Sequence, residues 1–180
     1  MPLLPPFKPG LTSPSDHLDP MGSGLSGITV ASGLVTILVM TKYADADSFS
    51  KVAGVIPALA FLAGGIGDAQ VRNRGTIGGS VANNDLTADY PAACLGLGAI
   101  MTIDSREGTA HDLFSGLFEM TSEEHEVITS IRFPVQDKAA YVEFPNPATR
   151  HAIVGVFVSD GLQGLQVAVT GAGSQGVFLH

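Results

Sequence analysis

The stretch Val71-Arg72-Asn73-Arg74-Gly75-Thr76-Ile77-Gly78-Gly79-Ser80 constrains this chain more than any other. Glycine permits positive φ, and a run of it lets successive backbone N–H groups turn toward one point. Three glycines stand here beside two hydroxyls and two of the nine basic residues of the 180-residue chain. Donors of all these kinds in one segment suit an anion, and a phosphate above all. The segment that follows, Val81 to Ala99, predicts a helix whose free N-terminal N–H groups favour the same anion.

Composition narrows the classes. With 45% hydrophobic and 14% charged residues the chain is core-forming and long enough for one domain, or a domain and part of a second. A net charge of −8 argues against nucleic acid or an anionic membrane as partner, so an anionic ligand must rely on local donors. Cys94 is the only cysteine, which excludes an internal disulfide and an iron–sulfur cluster held by this chain. The histidines (17, 111, 125, 151, 180) are scattered, and no pair has metal-ligand spacing. No metal site and no catalytic acid, base or nucleophile is expected. Apolar runs such as Ile56 to Ala63 are too short to span a bilayer, no N-terminal signal is evident, and the expected compartment is the reducing cytoplasm.

The pattern along the chain predicts mixed α and β structure. The first twenty residues, rich in Pro, Gly and Ser, read as irregular chain. Gly27 to Val30 and Leu34 to Met40 read as a hairpin around Ala31-Ser32-Gly33. Ala44 to Val55 and Pro57 to Ala63 read as two short helices, the second opened by its proline. A glycine-dense loop is expected at 64 to 80. Asp85 or Thr87 is expected to cap a helix through Leu97, with Tyr90, Ala93, Cys94 and Leu97 on one face. Ala99 to Asp104 reads as a strand with a turn at Ser105 to Gly108, and Asp112 to Phe118 as a short apolar turn. Val127, Thr129, Ile131 and Phe133 alternate as the buried face of a strand that Pro134 ends. Tyr141 to Phe144, Ile153 to Val158 and Leu165 to Val169 read as further β segments, with a turn at Asp160-Gly161 and loop at 171 to 176. No helix follows to cover them, so one face is expected to lie open.

Each candidate residue has an ordinary reading too. The glycines could serve a plain turn. Arg72 and Arg74 could both reach a phosphate or a partner carboxylate if the segment is extended, or pair with Asp68 or Asp85. Asp85 and Asp89 would share a helix face, either as acids favoured by the helix dipole or in recognition of a ribose or flavin chain. Cys94 suits a small buried position, His111 and His151 suit surface or packing roles, and Glu123-Glu124 with Glu126 an acidic edge.

Taken together, Gln70 to Ser80, then Asn83-Asn84-Asp85 and Ala88-Asp89-Tyr90-Pro91-Ala92-Ala93, strongly resemble the FAD-binding medium subunit of molybdenum hydroxylases, the carbon monoxide dehydrogenase and xanthine dehydrogenase relatives. Ile56 to Ala60, Glu126 to Pro134, Phe144 to Ala148 and Val167 to Gly173 extend the resemblance over nearly the whole chain. It implies an α+β flavoprotein with FAD held between two small subdomains. Residues 1–136 would be the FAD-binding domain, its first subdomain largely missing, and 137–180 the start of a C-terminal domain. Thr76, Ile77, Gly78, Gly79 and Ser80 match the second flavin loop, which holds the pyrophosphate through backbone N–H groups. Asp89 and Ile66 match positions that contact the cofactor, and Ile128 an apolar position packed on it. The implied partners are a molybdopterin-binding large subunit and a 2Fe-2S small subunit, with electrons passed through FAD to an external acceptor.

The departures are specific. The family's first flavin loop lies just before a Leu-Leu-Pro, and here Leu3-Leu4-Pro5 stands almost at the start. Leu86 replaces the usual proline after Asp85, Leu38-Val39 replaces a small Gly-Ala pair, and a family lysine falls on Pro145. A cofactor-free, inactive fragment or assembly partner is the alternative expectation.

Overall fold

Strand β1 (Ile28–Ala31) turns into β2 (Leu34–Leu38) through Ser32 (φ 52°) and Gly33 (φ 74°). Two left-handed residues in succession match the right-handed twist of a hairpin, and Gly33 takes its place without the Cβ cost that Ser32 bears. This is one end of the computed structural model, which describes residues 19–67, 69–85, 87–116, 119–121, 126–172 and 177–179. The expectations for the first eighteen residues, Leu3-Leu4-Pro5, Asp68, Leu86, Glu123-Glu124 and the loop at 173–176 lie outside those residues.

The hairpin joins β7 (Ile128–Pro134), β3 (Ile100–Ile103) and β4 (Arg106–Thr109) in an antiparallel sheet of order β1-β2-β7-β3-β4. Val35 and Ile37 alternate inward on β2, and Met101 and Ile103 on β3. On β7 the expected alternation fails. Val127 is exposed, and the buried residues are Ile128, Ile131 and Phe133. The reason is a β-bulge: Ile103 pairs with Ile128 while Thr102 pairs with Ser130, so Thr129 is extra. The bulge lets two isoleucines an odd number of residues apart share a face.

Helices α1 (Ala46–Ala53) and α2 (Pro57–Gly65) follow the hairpin, with Pro57 in the first turn of α2 as its missing N–H allows. The glycine-dense stretch after them is not loop. It forms α3 (Ala69–Arg74) and α4 (Ile77–Asn83), with Thr76 as N-cap accepting from Gly79 N at 3.2 Å and Asn84 as a left-handed C-cap. None of Gly75, Gly78 and Gly79 has positive φ. At Gly75 and Gly78 the lack of a side chain serves close approach instead. A Cβ on Gly75 would meet the Tyr43 ring, and one on Gly78 would overlap Val39.

Helix α5 (Asp89–Gly96) starts later than expected, with Ala88 as N-cap, while Asp85 accepts from Thr87 N and Oγ1 in a turn before it. Asp85 and Asp89 therefore do not share a helix face. Nor does α5 have a single apolar face: every residue from Tyr90 to Gly96 is buried. Cys94 is among them, and burial pushes its thiol well up, so it behaves as a small apolar residue. The short helix α6 (Ala110–Leu113) and the pair β5 (Phe114–Gly116) and β6 (Glu119–Met120) complete this half.

A second antiparallel sheet has the order β11-β10-β9-β8, from β8 (Lys138–Pro145), β9 (Ala152–Gly161), β10 (Gly164–Thr170) and β11 (Val177–Leu179). β9 runs through the expected turn at Asp160-Gly161, and the chain reverses at Leu162-Gln163 instead. One face of this sheet is closed against α5 and α2, with Tyr141, Phe157 and Ala168 in the common core. The other carries Val142 (70% exposed), Phe144 (65%), Val154 and Leu165. Among the described residues no helix is long and apolar enough to cross a membrane.

The Gly78–Val39 contact is testable. Gly78→Ala forces α4 off β2's exit and should destabilise the fold by about 1–3 kcal/mol in urea unfolding. Combined with Val39→Gly, the loss should be less than the sum of the two single changes. Strict additivity would mean the two residues do not press on each other.

Candidate functional site

A line of backbone hydrogen bonds ties the glycine segment to the first sheet. Thr129 O accepts from Val39 N at 3.2 Å, and Val39 O accepts from Gly78 N at 3.0 Å. Thr41 O accepts from Ile77 N at 3.1 Å, alongside a bridge between Lys42 and Thr76. Ser80 N donates to Thr76 O, and Gly79 N to Thr76 Oγ1. The N–H groups of residues 77 to 80 are thus bonded within the chain. The expected nest of amides aimed at one anion is not what the glycines build. What the segment offers outward is exposed Gly79 and the half-buried hydroxyl residues Thr76 and Ser80.

Ser80 leads on to Asp89. Its side chain hydrogen-bonds Tyr43, whose ring stacks on Tyr90 with centroids 5.1 Å apart. Burial, and then the charge of Asp89, raise the Tyr43 phenol. Asp89 opens α5 and accepts a hydrogen bond from Tyr141 Oη at 2.5 Å, where β8 crosses. Glu143, two residues on and so on the same face of β8, hydrogen-bonds Asp89 as well. Burial raises the Asp89 carboxyl above the usual range despite the Tyr141 bond, and burial followed by Asp89 raises Glu143. Two carboxyls in contact favour holding a proton between them. The Tyr90 hydroxyl is buried without a hydrogen-bond partner among the described residues, a local cost of about 1–3 kcal/mol.

Beyond Glu143 lies a cavity of about 520 Å³ between the end of α2, α3 and the β8–β9 turn, lined by Gly65, Gly67, Arg72, Glu143, Asn146 and Arg150 among others. Ile66 stands at its edge, its carbonyl accepting from Arg72 Nη1 at 2.5 Å. Because α3 is helical, Arg72 and Arg74 diverge, and they do not act as one clamp. Ile128 lies on the far side of the glycine segment, 9% exposed, on the strand that bonds to Val39. Of the eight residues singled out in the sequence, Ile77, Gly78 and Ile128 are buried, Thr76, Gly79 and Ser80 face outward or are half-buried, and Asp89 and Ile66 lie toward the cavity through Glu143 and Arg72.

Sequence reading missed Tyr43, Tyr141, Glu143 and Arg150. A signal existed for one pair, since Tyr141 and Glu143 alternate on a strand. For Tyr43 there was none, because its place depends on the lack of a Cβ at Gly75, far along the chain. Among the described residues no cluster could hold a metal ion, and His111 and His151 are exposed.

Residues 3–136 match the family described as the FAD binding domain in molybdopterin dehydrogenase. The chain belongs to that family. It is 31% identical over 172 residues to the glyceraldehyde dehydrogenase medium chain of Sulfolobus acidocaldarius, covering 92% of this chain and 61% of that one. It is 36% identical over 138 residues to the carbon monoxide dehydrogenase medium chain of Hydrogenophaga pseudoflava, covering 73% and 48%. The solved quinoline 2-oxidoreductase from Pseudomonas putida 86 superposes with a TM-score of 0.88 at 26% identity, covering 98% of this chain and 66% of that one. A solved carbon monoxide dehydrogenase from Hydrogenophaga pseudoflava gives 0.87 at 30% identity with the same coverage. The chain thus spans under two thirds of the length of these relatives. Within this FAD-binding-domain fold, the α+β architecture agrees with the sequence expectation, as does the family itself.

The raised carboxyls set a pH dependence. A carboxyl held above its unfolded value binds its proton more tightly in the native chain, so its stabilisation is full below the unfolded pKa. It is lost as pH rises through the raised native value. Asp89→Asn keeps an acceptor for Tyr141 and removes the charge. Its melting temperature should fall less steeply than the wild type's between about pH 4 and neutrality. Parallel melting curves for the two proteins would show that Asp89 does not titrate there.

Proposed function

We propose that this chain binds FAD as part of the medium subunit of a molybdenum-containing hydroxylase. In this reading it takes electrons from a 2Fe-2S subunit and passes them to an external acceptor, while a molybdopterin-binding large subunit oxidises the substrate. The single observation that carries it is the chain of side-chain interactions that leads from Ser80 through Tyr43 to Asp89, and on by way of Glu143 to the cavity beside Ile66. An elongated dinucleotide needs such a run of hydroxyl, carboxyl and open space. The medium-chain relatives support the same reading, as does the solved carbon monoxide dehydrogenase.

The residues fit the group with one change of emphasis. With the amides of 77 to 80 bonded internally, the hydroxyls of Thr76 and Ser80 and the bare backbone at Gly79 are what can meet a pyrophosphate. Asp89 is an acceptor for polyol hydroxyls, and Ile128 an apolar support on the far side. When bound, FAD supplies the redox chemistry, and the chain supplies binding, orientation and charge. No side chain here needs to act as a general acid or base. We also assign the FAD-binding domain to 1–136 and the C-terminal unit to 137–180, and the protein to the cytoplasm, where a lone buried thiol stays reduced.

Mixing the purified chain with FAD, then removing free flavin on a sizing column, tests this directly. The protein fraction should carry flavin absorbance and melt at a higher temperature. Gly79→Ala should weaken FAD binding at least about tenfold, because an added methyl covers the bare backbone. Its apo stability should stay within about 1 kcal/mol of wild type, since the φ there suits alanine. A wild-type chain that stays colourless and unshifted would favour the cofactor-free reading.

A further inference from the structure

Strand β8 brings Asp89 two donors. Tyr141 and Glu143 stand two apart on it, so both side chains leave the same face, toward the first turn of α5. Tyr141 Oη donates to Asp89 Oδ1 at 2.5 Å. Glu143 hydrogen-bonds the same carboxyl from beside the end of α2, where a Cβ on Gly65 would stand 3.4 Å from Glu143 Oε1. Two carboxyls can share a hydrogen bond only if one of them carries a proton. The Tyr141 bond favours the ionised form of Asp89, and the Asp89 charge in turn keeps the proton on Glu143. Glu143 is therefore the acid of the pair and Asp89 the carboxylate. Burial, and then the charge of Asp89, push the Tyr141 phenol far up, so it stays a donor.

The other groups around the pair leave this assignment in place. His151 draws Asp89 toward its ionised form by charge, and Tyr43 and Tyr90 are phenols held up by burial. The end of α2 brings Gly64 and Gly65, and β9 sets Gly155 opposite Glu143, with nothing to titrate. Arg72 on α3 and Arg150 on the β8–β9 turn line the cavity with Glu143. Arg150 is held by that turn with φ 59°, its N donating to Asn146 O at 2.8 Å. Among the described residues neither arginine forms an ion pair with Glu143 within 4.0 Å, so neither fixes it as an anion.

We propose that Glu143 is a positioning residue for Asp89: as a carboxylic acid it donates to Asp89 and, with Tyr141, aims the Asp89 carboxylate at a hydroxyl of the bound cofactor. The proposal rests on the FAD reading above. When the Glu143 proton leaves for solvent, the donated bond becomes a repulsion between two adjacent carboxylates, and Asp89 loses one of the two groups that orient it. Burial, followed by Asp89, holds the Glu143 carboxyl above the usual glutamate range. Its donor form is present below that raised value and is lost as pH rises through it. FAD binding to this chain therefore weakens with rising pH, in a window where FAD itself keeps its charge.

The test is equilibrium binding of FAD to the full chain, followed by flavin fluorescence between about pH 5 and 8. The wild type should bind about fivefold more weakly at the upper end, the loss of roughly one hydrogen bond. Glu143→Gln keeps a donor that does not titrate, so its affinity should stay within about twofold across the window. Tyr141→Phe should bind more weakly throughout and keep the pH step, because the titrating partner is still there. Melting of each apo form at each pH shows that the compared proteins are folded. Parallel pH profiles for the wild type and Glu143→Gln would overturn the proposal and leave the FAD reading standing. A wild-type chain that takes up no flavin at any pH would overturn both.

Discussion

Helix α5 has no side facing water between Tyr90 and Gly96, and the second sheet docks on it. A helix buried all round must have its end groups satisfied by the protein, because water cannot reach them. The second sheet does this. Ser159 Oγ donates to Gly96 O at 2.5 Å, Gln136 Nε2 to Leu97 O at 3.1 Å, and Thr170 Oγ1 to Ala88 O at 3.1 Å. Gly96 lets the Phe157 ring lie directly on the helix, since a Cβ there would come within 2.8 Å of it. Asp89 can meet Tyr141 and Glu143 only because this docking brings the first turn of α5 against β8. The polar centre of the candidate site is thus a by-product of how a wholly buried helix is capped.

Much of the fold was legible where a local rule acts alone. The Ser32-Gly33 hairpin, the Pro57 helix and the strands of the second sheet follow from turn chemistry and alternation. The failures share a different cause, which is contact between distant segments. Glycines 75, 78 and 79 looked like a source of positive φ, and Gly75 and Gly78 are instead points where Tyr43 and Val39 come too close for a side chain. The β7 alternation looked regular and is broken by an irregularity that only its pairing with β3 defines. Asp89 and Ile66 were singled out through family resemblance alone. Arg150 carried no local signal, because its conformation is set by a turn that the sequence does not announce.

The electrostatics of the site run against the whole molecule. The chain is acidic, and a phosphate or a reduced ring would meet a repulsive field at long range. The surface answers with separate devices at its two ends. Near α4 it presents hydroxyls and bare backbone with no full charge, and near α3 and the β8–β9 turn it gathers two arginines. Between them Asp89 and Glu143 sit in contact and hold their carboxyls toward the neutral form. Negative charge in the middle of the site is therefore suppressed by the same burial that places it there.

The extra residue in β7 reaches further than the sheet. An ordinary antiparallel strand can slide by two residues and still present its apolar face. β7 is keyed like a lock, because the three-residue step from Ile128 to Ile131 fits β3 at one position only. The residue that makes the key, Thr129, is also the one whose carbonyl holds Val39, on which Gly78 rests. The placement of the glycine segment is therefore set by a counting irregularity in a strand behind it. An insertion or deletion anywhere in β7 would be felt first as a misplaced glycine segment, before it was felt as a loss of core.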